Sequence, residues 1–113
     1  MEANGKDCLF LEEYQKWVAD GISLHIFKFD PTVKGLWATA GLTRESSEAM
    51  EIFEKAIRKD HEPDLARLTD ELGDVLWYLT ACAELNGLYL EDILDHNISK
   101  LNARRYTALE EIT

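Results

Sequence analysis

The chain has 113 residues, the size of one domain spanning 1–113, and its 46% hydrophobic content is enough for a core. No apolar run approaches the ~20 residues of a membrane-spanning helix, and the polar segment Met1–Asp7 is no signal peptide, so the cytoplasm is the expected location. The net charge of −10, from 22 acids and 12 bases, argues against nucleic acid or an anionic membrane as partner.

Residues 1–8 read as a flexible tail. A first helix is predicted from about Leu9 to Ile26, with a break near Asp20-Gly21, because Leu9, Phe10, Tyr14, Trp17 and Val18 recur at helical spacing. Pro31 and Gly35 mark Phe29–Gly35 as a loop. The second helix is expected to start between Trp37 and Thr43 and to reach Lys59, with Ala49, Phe53, Ala56 and Ile57 as its stripe. After the short connection Asp60–Asp64, Pro63 suits the first turn of a third helix that runs to about Leu85. Its face carries Leu65, Leu68, Leu72, Val75, Leu76, Leu79 and Ala83, and Asn86-Gly87 is a C-terminal stop. A fourth helix covers roughly Leu90 to Leu109, with Ile93, Leu94, Ile98 and Leu101 inside. Short connections make the neighbours antiparallel, so the fold class is all-α and four-helix-bundle-like.

Two acid pairs stand out, Glu45/Glu48 in Glu45-Ser46-Ser47-Glu48 and Glu71/Asp74 in Glu71-Leu72-Gly73-Asp74. Each is an i,i+3 pair on one helix face. On a helical wheel Glu45 falls between Ile52 and Ala56, Glu48 lies at the edge of that arc, and Glu71 and Asp74 border the third helix's stripe. Grouping buried carboxylates is unfavourable unless cations pair with them. Arg44 and Arg67 are possible partners. The other solution is a hard cation, and four oxygen donors suit Mg2+, with Mn2+ as a substitute. Cys8 and Cys82 are expected as reduced thiols, and no Cys/His cluster offers a zinc site. Ile22, Arg58 and Ile93 stand three before His25, His61 and His96, so no Glu-x-x-His motif of a di-iron bundle exists.

Gly41-Leu42-Thr43-Arg44-Glu45-Ser46-Ser47-Glu48, a gap of 22 residues, then Glu71-Leu72-Gly73-Asp74-Val75-Leu76-Trp77-Tyr78-Leu79 resembles the MazG-type pyrophosphohydrolases. Asn97-Ile98-Ser99-Lys100-Leu101 resembles a block of that family's last helix, and the likeness runs from about residue 11 to 106. Ser47 stands where the family often has a small residue or Gly, and Tyr106 lies one residue beyond its family position.

The resemblance implies a MazG fold assembled as a homodimer or homotetramer. It implies hydrolysis of a nucleoside triphosphate to monophosphate and pyrophosphate, with Glu45, Glu48, Glu71 and Asp74 holding Mg2+. Asn97 and Lys100 would contact phosphate, with Arg104 nearby, and Tyr78 would lie near the sugar or base. Glu48 is the candidate general base, and Lys100 would offset charge on the departing pyrophosphate. Phe29, Trp37, Trp77 and Tyr78 are candidates to stack on the base. Cleansing of the nucleotide pool is the expected role. The alternatives are a phosphoribosyl-ATP pyrophosphohydrolase and a non-enzymatic helical interaction module.

Overall fold

The computed structural model describes residues 10–112, with side chains for 10–105 and 111. The expected tail at 1–8, Cys8, and the side chains of Tyr106 and Leu109 lie outside the described residues. Four helices follow in order: α1 (Leu11–Gly21), α2 (Pro31–Lys59), α3 (Leu65–Leu85) and α4 (Leu90–Ile112), with a 3₁₀ segment at Leu24–Lys28. There is no strand among the described residues. The all-α reading holds, and several boundaries move.

The first helix ends at Gly21, and the chain beyond it turns into the 3₁₀ segment, where the Ser23 hydroxyl accepts from the His25 N–H at 3.3 Å. The expected loop at 29–35 is instead the start of α2. Asp30 caps the helix by accepting from the Val33 N–H at 3.0 Å, and Pro31 sits at its first position. Proline lacks only an N–H that a first turn leaves unpaired, so it begins this helix where a loop was read. Pro63 moves the other way. Asp64 caps α3 by accepting from the Arg67 N–H at 3.1 Å, which leaves Pro63 outside the helix. The predicted stop at Asn86-Gly87 is present: Gly87 has φ +68°, and the Leu88 N–H donates to the Ala83 carbonyl at 2.9 Å.

α2 and α3 form an antiparallel hairpin, which is the main contact of the molecule; α1 lies on α3, and α4 rests on α1. Ala38, Gly41, Glu45, Ile52 and Ala56 make the buried stripe of α2. The core proper is Val18, Ile22, Ile26 and Ala81, with Tyr14, Trp37, Trp77 and Leu85 packed around it. Parts of three expected stripes are not in this core. Leu65, Leu72 and Leu76 of α3 are exposed, as are Ile93, Leu94, Ile98 and Leu101 of α4 and Phe53 and Ile57 of α2. Periodicity marks these faces as apolar, but the described helices do not cover them. The radius of gyration of 17.5 Å reflects this open arrangement, against about 13 Å for a closed domain of ~100 residues. No helix among the described residues is long and apolar enough to cross a membrane.

Gln15 ties α1 to the turn between α3 and α4. Its amide donates to the Leu88 carbonyl at 2.8 Å and to Glu84 at 2.9 Å, and its carbonyl accepts from the Leu90 N–H at 2.9 Å. Gln15 thereby caps the first turn of α4 from a distant helix. Gln15→Met, which keeps the length and removes the polar atoms, should lower stability by about 1–3 kcal/mol in urea unfolding, because the Leu90 N–H loses its acceptor.

Candidate metal centre

The small residues of the α2 stripe let α3 approach closely, and the carboxylates lie in that seam. Glu45 is 8% exposed, and Glu71 is half-buried opposite it. Oxygens of Glu45, Glu71 and Asp74 all lie within 4.8 Å of one another. Glu48 falls outside this three-residue set but lies close enough to Glu45 and Glu71 to perturb the protonation of both. All four predicted carboxylates thus share one neighbourhood, three of them in ligand-like convergence.

This crowding splits the acids electrostatically. Burial pushes the Glu71 carboxyl up, and the Glu45 and Glu48 carboxylates push it further, from its ordinary 4.5 to about 7. Glu45 is also disfavoured by burial, but hydrogen bonds from Glu71, Glu48 and Arg44 outweigh it and hold its carboxyl below the ordinary value. Without a cation, Glu71 is therefore the carboxyl of the group that holds a proton most readily toward neutrality. Arg67 stands 3.9 Å from Glu71 Oε1, while Glu71 Oε2 is buried and has no hydrogen-bond partner. A buried, unpartnered carboxylate oxygen beside two more carboxylates fits a divalent cation taking oxygen ligands.

Arg44 is the second cation at the site. Its Nε and Nη2 lie 3.4 and 3.3 Å from Glu45 Oε1, and Nη2 donates to the Tyr78 hydroxyl at 2.9 Å. The hydrogen bond to Tyr78, then that to Glu45, pushes the guanidinium further toward its protonated form. Tyr78 packs against Gly41, where any Cβ would overlap its ring. Tyr78 also meets Trp77 and Trp37 edge-on, at 5.2 and 5.7 Å between ring centres. Three of the four aromatic candidates therefore form one cluster beside the carboxylates. Phe29 instead contacts His25, at 5.8 Å between ring centres, and Lys28.

Asn97 and Lys100 line a groove on α4 with Tyr89 and His96, apart from the carboxylate seam, and Arg104 is exposed further along α4. Tyr14 was not among the candidates read from sequence. Burial, then the Asp74 charge, pushes its hydroxyl up, which puts α1 at the edge of the site. Its helical spacing gave only a core reading.

Fold and site together define an all-α protein with a carboxylate centre in a helical hairpin. Residues 37–108 match the family model of the MazG nucleotide pyrophosphohydrolase domain. The chain belongs to that family. The Gene 37 protein of Mycobacterium phage L5 is 32% identical to it over 79 residues, which is 66% of this chain and 69% of that protein. No solved structure matches the chain.

The Glu71 shift has a thermodynamic consequence without metal. A carboxyl raised on folding contributes stability that is fully present below its unfolded value of about 4.5 and is lost as pH rises toward 7. Glu71→Gln cannot lose that proton. The wild-type stability relative to Glu71→Gln should therefore fall between pH 4.5 and 7 and level off above, as read by urea midpoints in chelator.

Proposed function

We propose that the protein hydrolyses a nucleoside or deoxynucleoside triphosphate between the α and β phosphates, releasing the monophosphate and pyrophosphate and so removing unwanted nucleotides from the pool. The observation that carries this reading is Glu71 Oε2, buried and unpartnered beside Glu45 and Asp74, in a chain of this family.

Glu45, Glu71 and Asp74 would hold Mg2+, or Mn2+ in its place, with Glu48 completing the set. When bound, the ion neutralises phosphate oxygens and acidifies water. Glu48 lies outside the three converging oxygens, so it is the carboxylate of the four least engaged with the ion and would accept the proton of the attacking water. Water oxygen bonds to the α-phosphorus, the bond to the bridging oxygen breaks, and pyrophosphate leaves with that oxygen. The hydrophobic faces of Trp37, Trp77 and Tyr78 suit a base and sugar; Phe29 would close over the nucleotide from the 3₁₀ segment.

Self-association belongs to the same reading, as a homodimer or homotetramer. It is supported by the exposed leucines of α3 and by an apolar groove of about 370 Å³ lined by Leu76, Leu79, Ile93 and Leu94. Asn97, Lys100 and Arg104 would contact phosphate once assembly brings α4 to the carboxylate seam. Light scattering should give at least twice the chain mass of 12.9 kDa, and Leu94→Glu should lower it; a monomeric wild type would refute the assembly.

The test of activity is product analysis with a panel of ribo- and deoxyribonucleoside triphosphates, with and without Mg2+. Pyrophosphate and monophosphate should appear only with metal, and Glu71→Gln should reduce turnover by at least a hundredfold. Orthophosphate as product, or unchanged turnover in Glu71→Gln, would overturn the reaction and the site respectively.

A further inference from the structure

We propose that Arg44, anchored by the Tyr78 hydroxyl, binds the substrate's polyphosphate and gives up Glu45 when the carboxylates take their metal. The inference rests on the metal-dependent reading above and assigns a residue that reading leaves unused.

Adjacent residues on a helix do not face each other, yet the Arg44 guanidinium folds back to within 3.3 Å of Glu45 Oε1. The shorter contact explains how. Nη2 donates to Tyr78 at 2.9 Å, and Tyr78 is fixed by Gly41, Trp37 and Trp77. The aromatic cluster therefore sets where the guanidinium sits, and Glu45 receives only its long contacts. Glu45 is nearly buried while the Arg44 side chain is 56% exposed. The arginine thus covers Glu45 from the solvent side, where a charged substrate would arrive.

A guanidinium has five N–H donors in a rigid fork. Nε and Nη2 serve Glu45 and Tyr78, and Nη1 makes no hydrogen bond among the described residues. A divalent ion on the Glu45 carboxylate competes with Arg44 for its negative charge. The displaced fork keeps Tyr78 and turns more donors outward. Ligand bonds of about 2.1 Å keep such an ion, and phosphates on it, within one side chain's reach. Arg44 is matched to phosphate by geometry as well as charge. Arg67, the other cation at the centre, is 3.9 Å from Glu71 and has no such aromatic anchor.

A purely structural Arg44–Glu45 pair predicts something different. Its loss would loosen Glu45 and weaken metal binding, without a specific effect on phosphate. Calorimetric titration of the full chain with Mg2+, then with inorganic tripolyphosphate in saturating Mg2+, separates the two. Arg44→Gln should weaken tripolyphosphate binding about tenfold or more, while Mg2+ alone binds as tightly as in wild type or more tightly. Arg44→Lys should recover only part of the loss, since it keeps the charge without the fork. Tyr78→Phe removes the anchor and should weaken tripolyphosphate binding by roughly threefold with Mg2+ affinity retained. With a nucleotide substrate, Arg44→Gln should raise KM more than it lowers kcat. Unchanged tripolyphosphate affinity in Arg44→Gln, or a drop in Mg2+ affinity, overturns the assignment while leaving the metal reading intact. A wild-type protein that binds no Mg2+ overturns both.

Discussion

The structure depends on carboxylates lying inside a helix–helix seam. Glu45 occupies the middle of the α2 stripe, between Gly41 and Ile52, at a position where a bundle would ordinarily place an apolar side chain. Two features make this tolerable. Small residues at 38, 41 and 56 let α3 approach, burial and its acidic neighbours push the Glu71 carboxyl toward its neutral form, and Arg44 adds positive charge from the solvent side. The arrangement spends packing in the hairpin on charge placement, so that the carboxylates of the proposed metal site are held together by the fold itself. Preorganisation of that kind is what a metal site needs to keep its geometry.

The aromatic cluster and the carboxylates are one construction. Gly41 admits the Tyr78 ring to the surface of α2, the ring carries Arg44, and Arg44 reaches Glu45. Trp37 and Trp77 hold the ring from the other side and connect it to the core of α1 through Val18 and Ile22. A change at the aromatic residues would therefore be felt at Glu45, which they reach through Arg44.

The acidic pairs were legible in sequence because i,i+3 spacing translates directly into a helix face, and the Ile52/Ala56 arc placed Glu45 inward. The end of α3 was legible because Gly87 marks a left-handed residue. The start of α2 was not, since Pro31 and Gly35 signal a turn unless Asp30 is recognised as a cap. The leucines of α3 and α4 show the limit of periodicity, which reveals that a face is apolar but not which chain covers it. The Arg44–Tyr78 contact and the Gln15 bracket join residues 34 to 75 positions apart, and no local pattern carries such links.

Gln15 also bears on what counts as the domain. The family match begins at Trp37, so α1 lies wholly outside it. Yet α1 supplies Val18, one of the two largest fully buried side chains among the described residues, and the acceptor that starts α4. The segment that defines kinship is thus shorter than the segment that folds. The match rests on the carboxylate hairpin and the last helix, whereas the packing that holds them together also runs through α1, N-terminal to the matched segment.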